Sequence, residues 1–144
     1  MDAYDELLEI LKDIDLMSQV RSLLGWDQEV LMPPKAATLR GEQLAWISRE
    51  SHRRKTSPRI GELLDELEEN SELNEIERAN VRLAREAYVK ATKLPTEFVS
   101  EMARHNSKAV ISWTEAREKI DFSIFRDDLA KSIDFARKKA DYLG

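Results

Sequence analysis

Cysteine is absent from this 144-residue sequence, which excludes a disulfide framework and any thiolate metal site and makes a reducing cytoplasm the expected compartment. Glycine and proline are scarce, at four each, and β sandwiches and barrels need more turn residues than that. No apolar run approaches the ~20 residues that span a bilayer, so no membrane partner is expected. The start, MDAYDELLEI, is acidic and amphipathic and lacks the basic opening and continuous apolar stretch of a secretory signal. An excess of positive charge is also missing: a net charge of −5 leaves no basic face for nucleic acid. There is no Gly-rich phosphate loop and no G-x-S-x-G elbow.

What remains is 42% hydrophobic and 35% charged residues, the composition of an all-α protein long enough to bury a core as a single domain, residues 1–144. Apolar spacing and breakers predict about six helices, over 2–31, 35–55, 58–69, 75–92, 96–119 and 122–143. In the first, Leu7, Ile10, Leu11, Ile14, Met17 and Leu24 recur at three- and four-residue steps as one core-facing stripe. Pro33 and Pro34 end it, and Pro34 can open the second. Ala37, Gly41, Leu44 and Ile47, with Trp46 beside them, form the second helix's face, where Gly41 would let another helix approach. Ser57 and Pro58 start the third, carrying Ile60, Leu63, Leu64 and Leu67. Asn74 and Glu77 form a capping box for the fourth, with Ile76, Leu83 and Ala87 on its face. The fifth carries Val99, Met102, Asn106, Val110, Trp113 and Ala116. Asp121 caps the sixth, with Phe122, Phe125, Leu129, Ile133, Ala136 and Leu143. Connections this short predict antiparallel neighbours.

The stretch GWDQEVLMPP, residues 25–34, sets two carboxylates beside a tryptophan and then stops the chain. Asp27 and Glu29 are two apart on a helix, so they face different directions and cannot share one substrate atom. A hairpin lock explains the residues better: Trp26 buries its ring, Arg40 pairs with Asp27 or Glu29 across the Pro33–Pro34 turn, and Gln28, Glu29 or Glu42 supplies contacts to the indole. If Trp26 is instead exposed, the stretch reads as a binding surface. Neither His52 nor His105 begins an H-E-x-x-H motif, and Glu101 with His105 makes only one i,i+4 pair, read as a surface pair because a metal needs three or four ligands. SHRRK, residues 51–55, is read as cations at a helix C-terminus, DELEEN, residues 65–70, as a solvated face, and Trp113, Phe122 and Phe125 as core. No catalytic residue and no metal ligand is assigned.

Residues 23–52, with W-D-Q-E-x-x-M-P-P, R-G-E-Q-L-A and S-x-x-x-H, resemble the start of the thermostable carboxypeptidase 1 (carboxypeptidase Taq) metallopeptidases. SWTEAREKIDFSIF, residues 112–125, resembles the same family's W-x-x-A-R-x-x-x-D-F-x-x-F segment, and KLPTEFV, residues 93–99, lies between the two. The resemblance implies a mostly α-helical enzyme, several times longer, that removes residues from peptide C-termini. It implies a zinc or cobalt ion held by H-E-x-x-H and a later glutamate, the metal polarising the scissile carbonyl while the motif's glutamate takes a proton from its water. No position here matches those residues, so they are expected beyond Gly144. The chain is expected to be an N-terminal helical segment, a cap or groove wall, with no cofactor of its own and no activity alone. Its implied partners are the rest of the polypeptide, the parent enzyme's peptide substrates and, as a possibility, a second copy in a homodimer. The alternative is a free-standing helical interaction or dimerisation module without enzymatic activity, which would require a stop codon after Gly144.

Overall fold

Asp2 opens the chain's first helix through its side chain, whose Oδ1 accepts the Asp5 amide at 2.8 Å. The computed structural model describes residues 2–144. Its elements are α1 (Ala3–Val30), α2 (Ala37–Lys55), α3 (Pro58–Glu68), α4 (Glu75–Thr92), α5 (Thr96–Lys119) and α6 (Ser123–Leu143), with a single 3-10 turn at Pro34–Ala36 and no strand among the described residues. The prolines act as expected on α1 but differently on α2. Pro33 is extended, and Pro34 begins the 3-10 turn, so α2 starts at Ala37 rather than at residue 35. The tighter helix is a common way to fill a first turn. Asn74 and Glu77 form the reciprocal capping box. Ser57 takes the N-cap position of α3 and Pro58 the first helical one, as expected, but the Ser57 side chain makes no cap hydrogen bond. Asp121 accepts the Ser123 amide at 2.9 Å at the head of α6, and Phe122 takes the N-cap position. The end of α5 carries no sequence signal, because Ile120 stands there at φ 52°, a left-handed conformation that favours glycine.

Side-chain bridges give the register. Asp13–Arg54 and Asp27–Arg40 run α1 antiparallel to α2, Asp65–Arg85 with Gly61 packed on Tyr88 runs α3 antiparallel to α4, and Lys108–Asp128 with His105–Ser132 does the same for α5 and α6. Sequential pairing is not the whole arrangement: the broadest interface joins α2 to α5. Two kinds of packing result. Leu7, Ile14, Ile60, Leu63, Leu64, Leu67, Leu73 and Val81 form an apolar core from α1, α3, α4 and the connection between the last two. Small and polar residues are buried on α2 (Gly41, Ala45, Ser48, Ser51 and His52) and on α5 (Ser100, His105, Ser107 and Ala109), with Gly41 facing Arg104 and Ser107 across the α2–α5 contact and His105 facing α6. Gly41 is not required there. A Cβ would sit 3.9 Å from Arg104 Cγ and from Ser107 Oγ, ordinary contact distance.

Several expected faces point outward. In α4, Val81 is buried and Ala84 and Tyr88 pack on the core, while Ile76 and Leu83 are exposed. Val110, Trp113, Phe122 and Ile133 are also exposed, so Trp113 and Phe122 are not core residues; Arg117 lies over the Trp113 ring and Arg126 over Phe122. The second half of α1 is apolar on two sides. Besides the inner stripe it exposes Leu16, Val20, Leu23 and Val30. A helix apolar all round is normally covered all round. None of the helices described is long and apolar enough to cross a membrane.

Candidate functional site

The Trp26–Glu42 stretch folds into a hairpin held by one arginine. Arg40 reaches back from α2 to α1: Nη2 donates to Asp27 Oδ2 at 2.6 Å, Nη1 to the Leu24 carbonyl at 2.5 Å, and Nε to Gln43 Oε1 at 2.9 Å. Asp27 contributes twice, because its carbonyl also accepts the amides of Leu31 and Met32 at 3.0 and 2.8 Å and closes α1 before Pro33. Its side chain is about a third exposed and that of Arg40 about an eighth, so the pair is shielded only in part.

The other expected members of the lock stand elsewhere. Trp26 does not bury its ring; it is 54% exposed, because it lies on the side of α1 away from α2 and α5. Glu42 turns from the indole to α5, where Arg104 binds it through Nε at 2.6 Å and Nη2 at 3.1 Å. That pairing holds the Glu42 carboxyl below its ordinary value. Glu29 is exposed beside a cleft of about 610 Å³ between the Pro33–Pro34 turn and α5, lined also by Gln28, Met32, Val110 and Trp113. Gln28, expected among the contacts of the indole, reaches α5 instead. Its Nε2 donates to the Ser107 carbonyl at 3.0 Å, and its Oε1 accepts the Ser107 hydroxyl at 2.8 Å, bolting α1 to α5. Its only sequence signal was a polar residue four places after Leu24, interrupting the apolar stripe.

Both histidines are buried, and each is spent on helix packing. His52 Nε2 faces the Ala91 carbonyl and Nδ1 the Thr96 hydroxyl, both at 2.9 Å. A carbonyl only accepts, so Nε2 carries a proton, and the ring ties α2 to the end of α4 and the start of α5. His105 Nε2 lies 2.8 Å from Ser132 Oγ, whose own proton goes to the Asp128 carbonyl at 2.9 Å, and the ring stacks on Phe135. His105 is therefore not half of a surface pair with Glu101. Burial, then the nearby Lys131 charge, pushes its pKa below the ordinary value. In residues 65–70, Asp65 and Glu68 are not merely solvated, because both bind Arg85.

These side chains do not fit a catalytic metal. Among the described residues no group of three His, Asp or Glu side chains converges, and hydrogen bonds already occupy the histidine nitrogens that face a neighbour. The arrangement can join helices; the two hydroxyls that meet a histidine, Thr96 and Ser132, sit in partly buried helix contacts, and the Ser132 proton goes to the Asp128 carbonyl rather than to the ring.

Comparison with known proteins accounts for nearly every residue. The family model described as carboxypeptidase Taq (M32) metallopeptidase matches residues 6–144. Thermostable carboxypeptidase 1 of Thermus thermophilus is 33% identical over 98% of this chain, and its namesake from Pyrococcus furiosus is 34% identical over 96%. The crystal structure of BsuCP superposes on all of the chain with a TM-score of 0.95 at 31% identity. The chain spans only 28% of the length of each of the two relatives and 29% of the BsuCP chain.

Proposed function

The chain belongs to the carboxypeptidase Taq (M32) family of metallopeptidases, and from that premise we propose that it serves as the N-terminal helical cap or groove wall of a metal-dependent carboxypeptidase that removes C-terminal residues from peptides. The observation that carries this reading is coverage: the whole chain matches, yet it amounts to 29% of the BsuCP chain. On this reading the zinc or cobalt site is built by other parts of the polypeptide. The metal, where bound, supplies Lewis acidity to the scissile carbonyl. The contribution of this chain is rigidity. Arg40, Gln28 and His52 hold α1, α2 and α5 in one register, and a wall of fixed helices orients a peptide and keeps water from it.

The exposed Leu16, Val20, Leu23 and Val30 on α1 support the rest of the same polypeptide as the covering partner. They equally favour a second reading, a homodimer contact or a helical interaction module. Assay of the purified 144-residue chain with zinc or cobalt and a blocked dipeptide tests the first reading, and no turnover is expected. Turnover that copurifies with the chain and disappears with a chelator would overturn it. Light scattering of the longer protein separates the second: loss of the dimer on substituting Leu16 and Leu23 by Ser would assign this face to a second copy.

A further inference from the structure

Arg21 occupies a position that the α1 pattern reserves for an apolar side chain, four residues after Met17 and three before Leu24. It lines a cavity of about 80 Å³ between α1, α2 and the start of α5, together with Ser18, Ser48, Ser51, His52 and Lys55. The other cations of α2 are matched: Arg40 with Asp27, Arg49 and Arg53 with Glu50, and Arg54 with Asp13. Arg21 and Lys55 form no ion pair among the described residues. No carboxylate lines the cavity. Both side chains keep more than a third of their surface exposed, and partial desolvation of Lys55, with the charge of Arg21 added, holds its ammonium below the ordinary pKa, so the two cations oppose one another. A second observation is independent of charge. Ser48 is 6% exposed, and its hydroxyl has no hydrogen-bond partner. A buried donor left unpaired costs about 1–3 kcal/mol. His52 is wall and not ligand, because Thr96 and Ala91 already engage its nitrogens.

We propose that this cavity binds one small oxyanion of the carboxylate or phosphate class, with Arg21 and Lys55 matching its charge and the Ser48 hydroxyl donating to it. The volume is well above the roughly 10–15 Å³ that one water needs, enough for a single such group. A guanidinium beside an ammonium is a common way to hold an oxyanion. The anion has two possible sources. It is free in solution, or it is an Asp or Glu side chain from the part of the polypeptide outside these residues. Either one turns a repulsive pair of cations into an attractive cluster.

The test uses the full-length protein with Arg21→Met, Lys55→Met and Ser48→Ala, followed by thermal unfolding at constant ionic strength in chloride, inorganic phosphate or acetate. For a free anion, the midpoint rises saturably with phosphate or acetate. Arg21→Met and Lys55→Met then each raise the half-saturating concentration by about tenfold, the effect of losing one charge-assisted contact. For an internal carboxylate, added anions give no response that depends on Arg21. Both Met variants then lower the midpoint already in chloride, and the double variant falls by less than the sum. The proposal is overturned if either Met variant leaves the midpoint unchanged or raises it without altering the anion response, which is the result for two cations that merely repel. A rise on Ser48→Ala in every buffer would likewise mark that hydroxyl as an uncompensated donor.

Discussion

Replacing Arg40 by Met keeps the stem that covers the turn and removes the guanidinium that joins α1 to α2. Three hydrogen bonds are lost. The bond to Gln43 lies at the surface and contributes nothing measurable. The bond to the Leu24 carbonyl is partly buried and contributes about 1 kcal/mol. A charge-assisted bond to Asp27 would contribute about 1.5–3 kcal/mol if fully buried. The Asp27 side chain is 34% exposed, however, and water recovers part of that. About 1 kcal/mol is the appropriate figure for it, so Arg40→Met should cost about 2 kcal/mol in all. Asp27→Asn removes only the charged partner and should cost about 1 kcal/mol. Because the two residues share one contact, the double variant should fall short of the sum by about 1 kcal/mol. Urea unfolding followed by helical circular dichroism measures all four corners of the cycle, with an unchanged m-value as the check that the unfolded state is the same. A cost for Arg40→Met below about 0.5 kcal/mol, the level of an ordinary surface change, would refute the reasoning, and so would strict additivity.

Trp26→Ala in this 144-residue chain should cost about 1 kcal/mol, not the ~3–5 kcal/mol of an aromatic lost from a core, because the ring is more than half exposed. In the longer protein the same change should cost more if the partner covers α1, and equal costs by denaturant titration would argue against that. Ile120→Gly should stabilise by about 1 kcal/mol, since it relieves a left-handed β-branched residue at a position 94% exposed; a lower thermal midpoint would contradict the strain. The folded-state pKa of His105 lies below its reference value of 6.5, so the unfolded chain takes up the proton first as pH falls. The stability that His105 contributes is thus complete above that reference and lost as pH drops through the folded value. Unfolding free energy measured downward from neutral pH should decline before the carboxylates titrate, and His105→Gln should flatten that first decline.

Local signals were legible wherever a backbone or spacing rule acts alone. The Asn74–Glu77 box, the Leu63–Leu64–Leu67 core stripe and the stop at Pro33 each depend on residues within one turn of each other. The candidate site was legible in half of its parts. Arg40 could be matched to Asp27 because a short turn leaves few alternatives, whereas Glu42 had two helices within reach and took the one that arrives 62 residues later. The outward faces failed for a related reason. Ile76 and Val81 are both apolar and lie on opposite sides of α4, and periodicity cannot say which side another helix will cover.

By itself, then, the sequence determined that the chain is helical, where its helices break and which family's pattern it carries, because those properties reside in short-range sterics and in motif spacing. Only the tertiary structure decided that α2 packs most broadly on α5, that both histidines are used up as ties between helices, and that Trp26 and the outer side of α1 are left uncovered. Those outcomes depend on which apolar or polar surface finds a partner far away in the chain. A hydrophobic stripe advertises that it will be buried, but only the packed arrangement says against what.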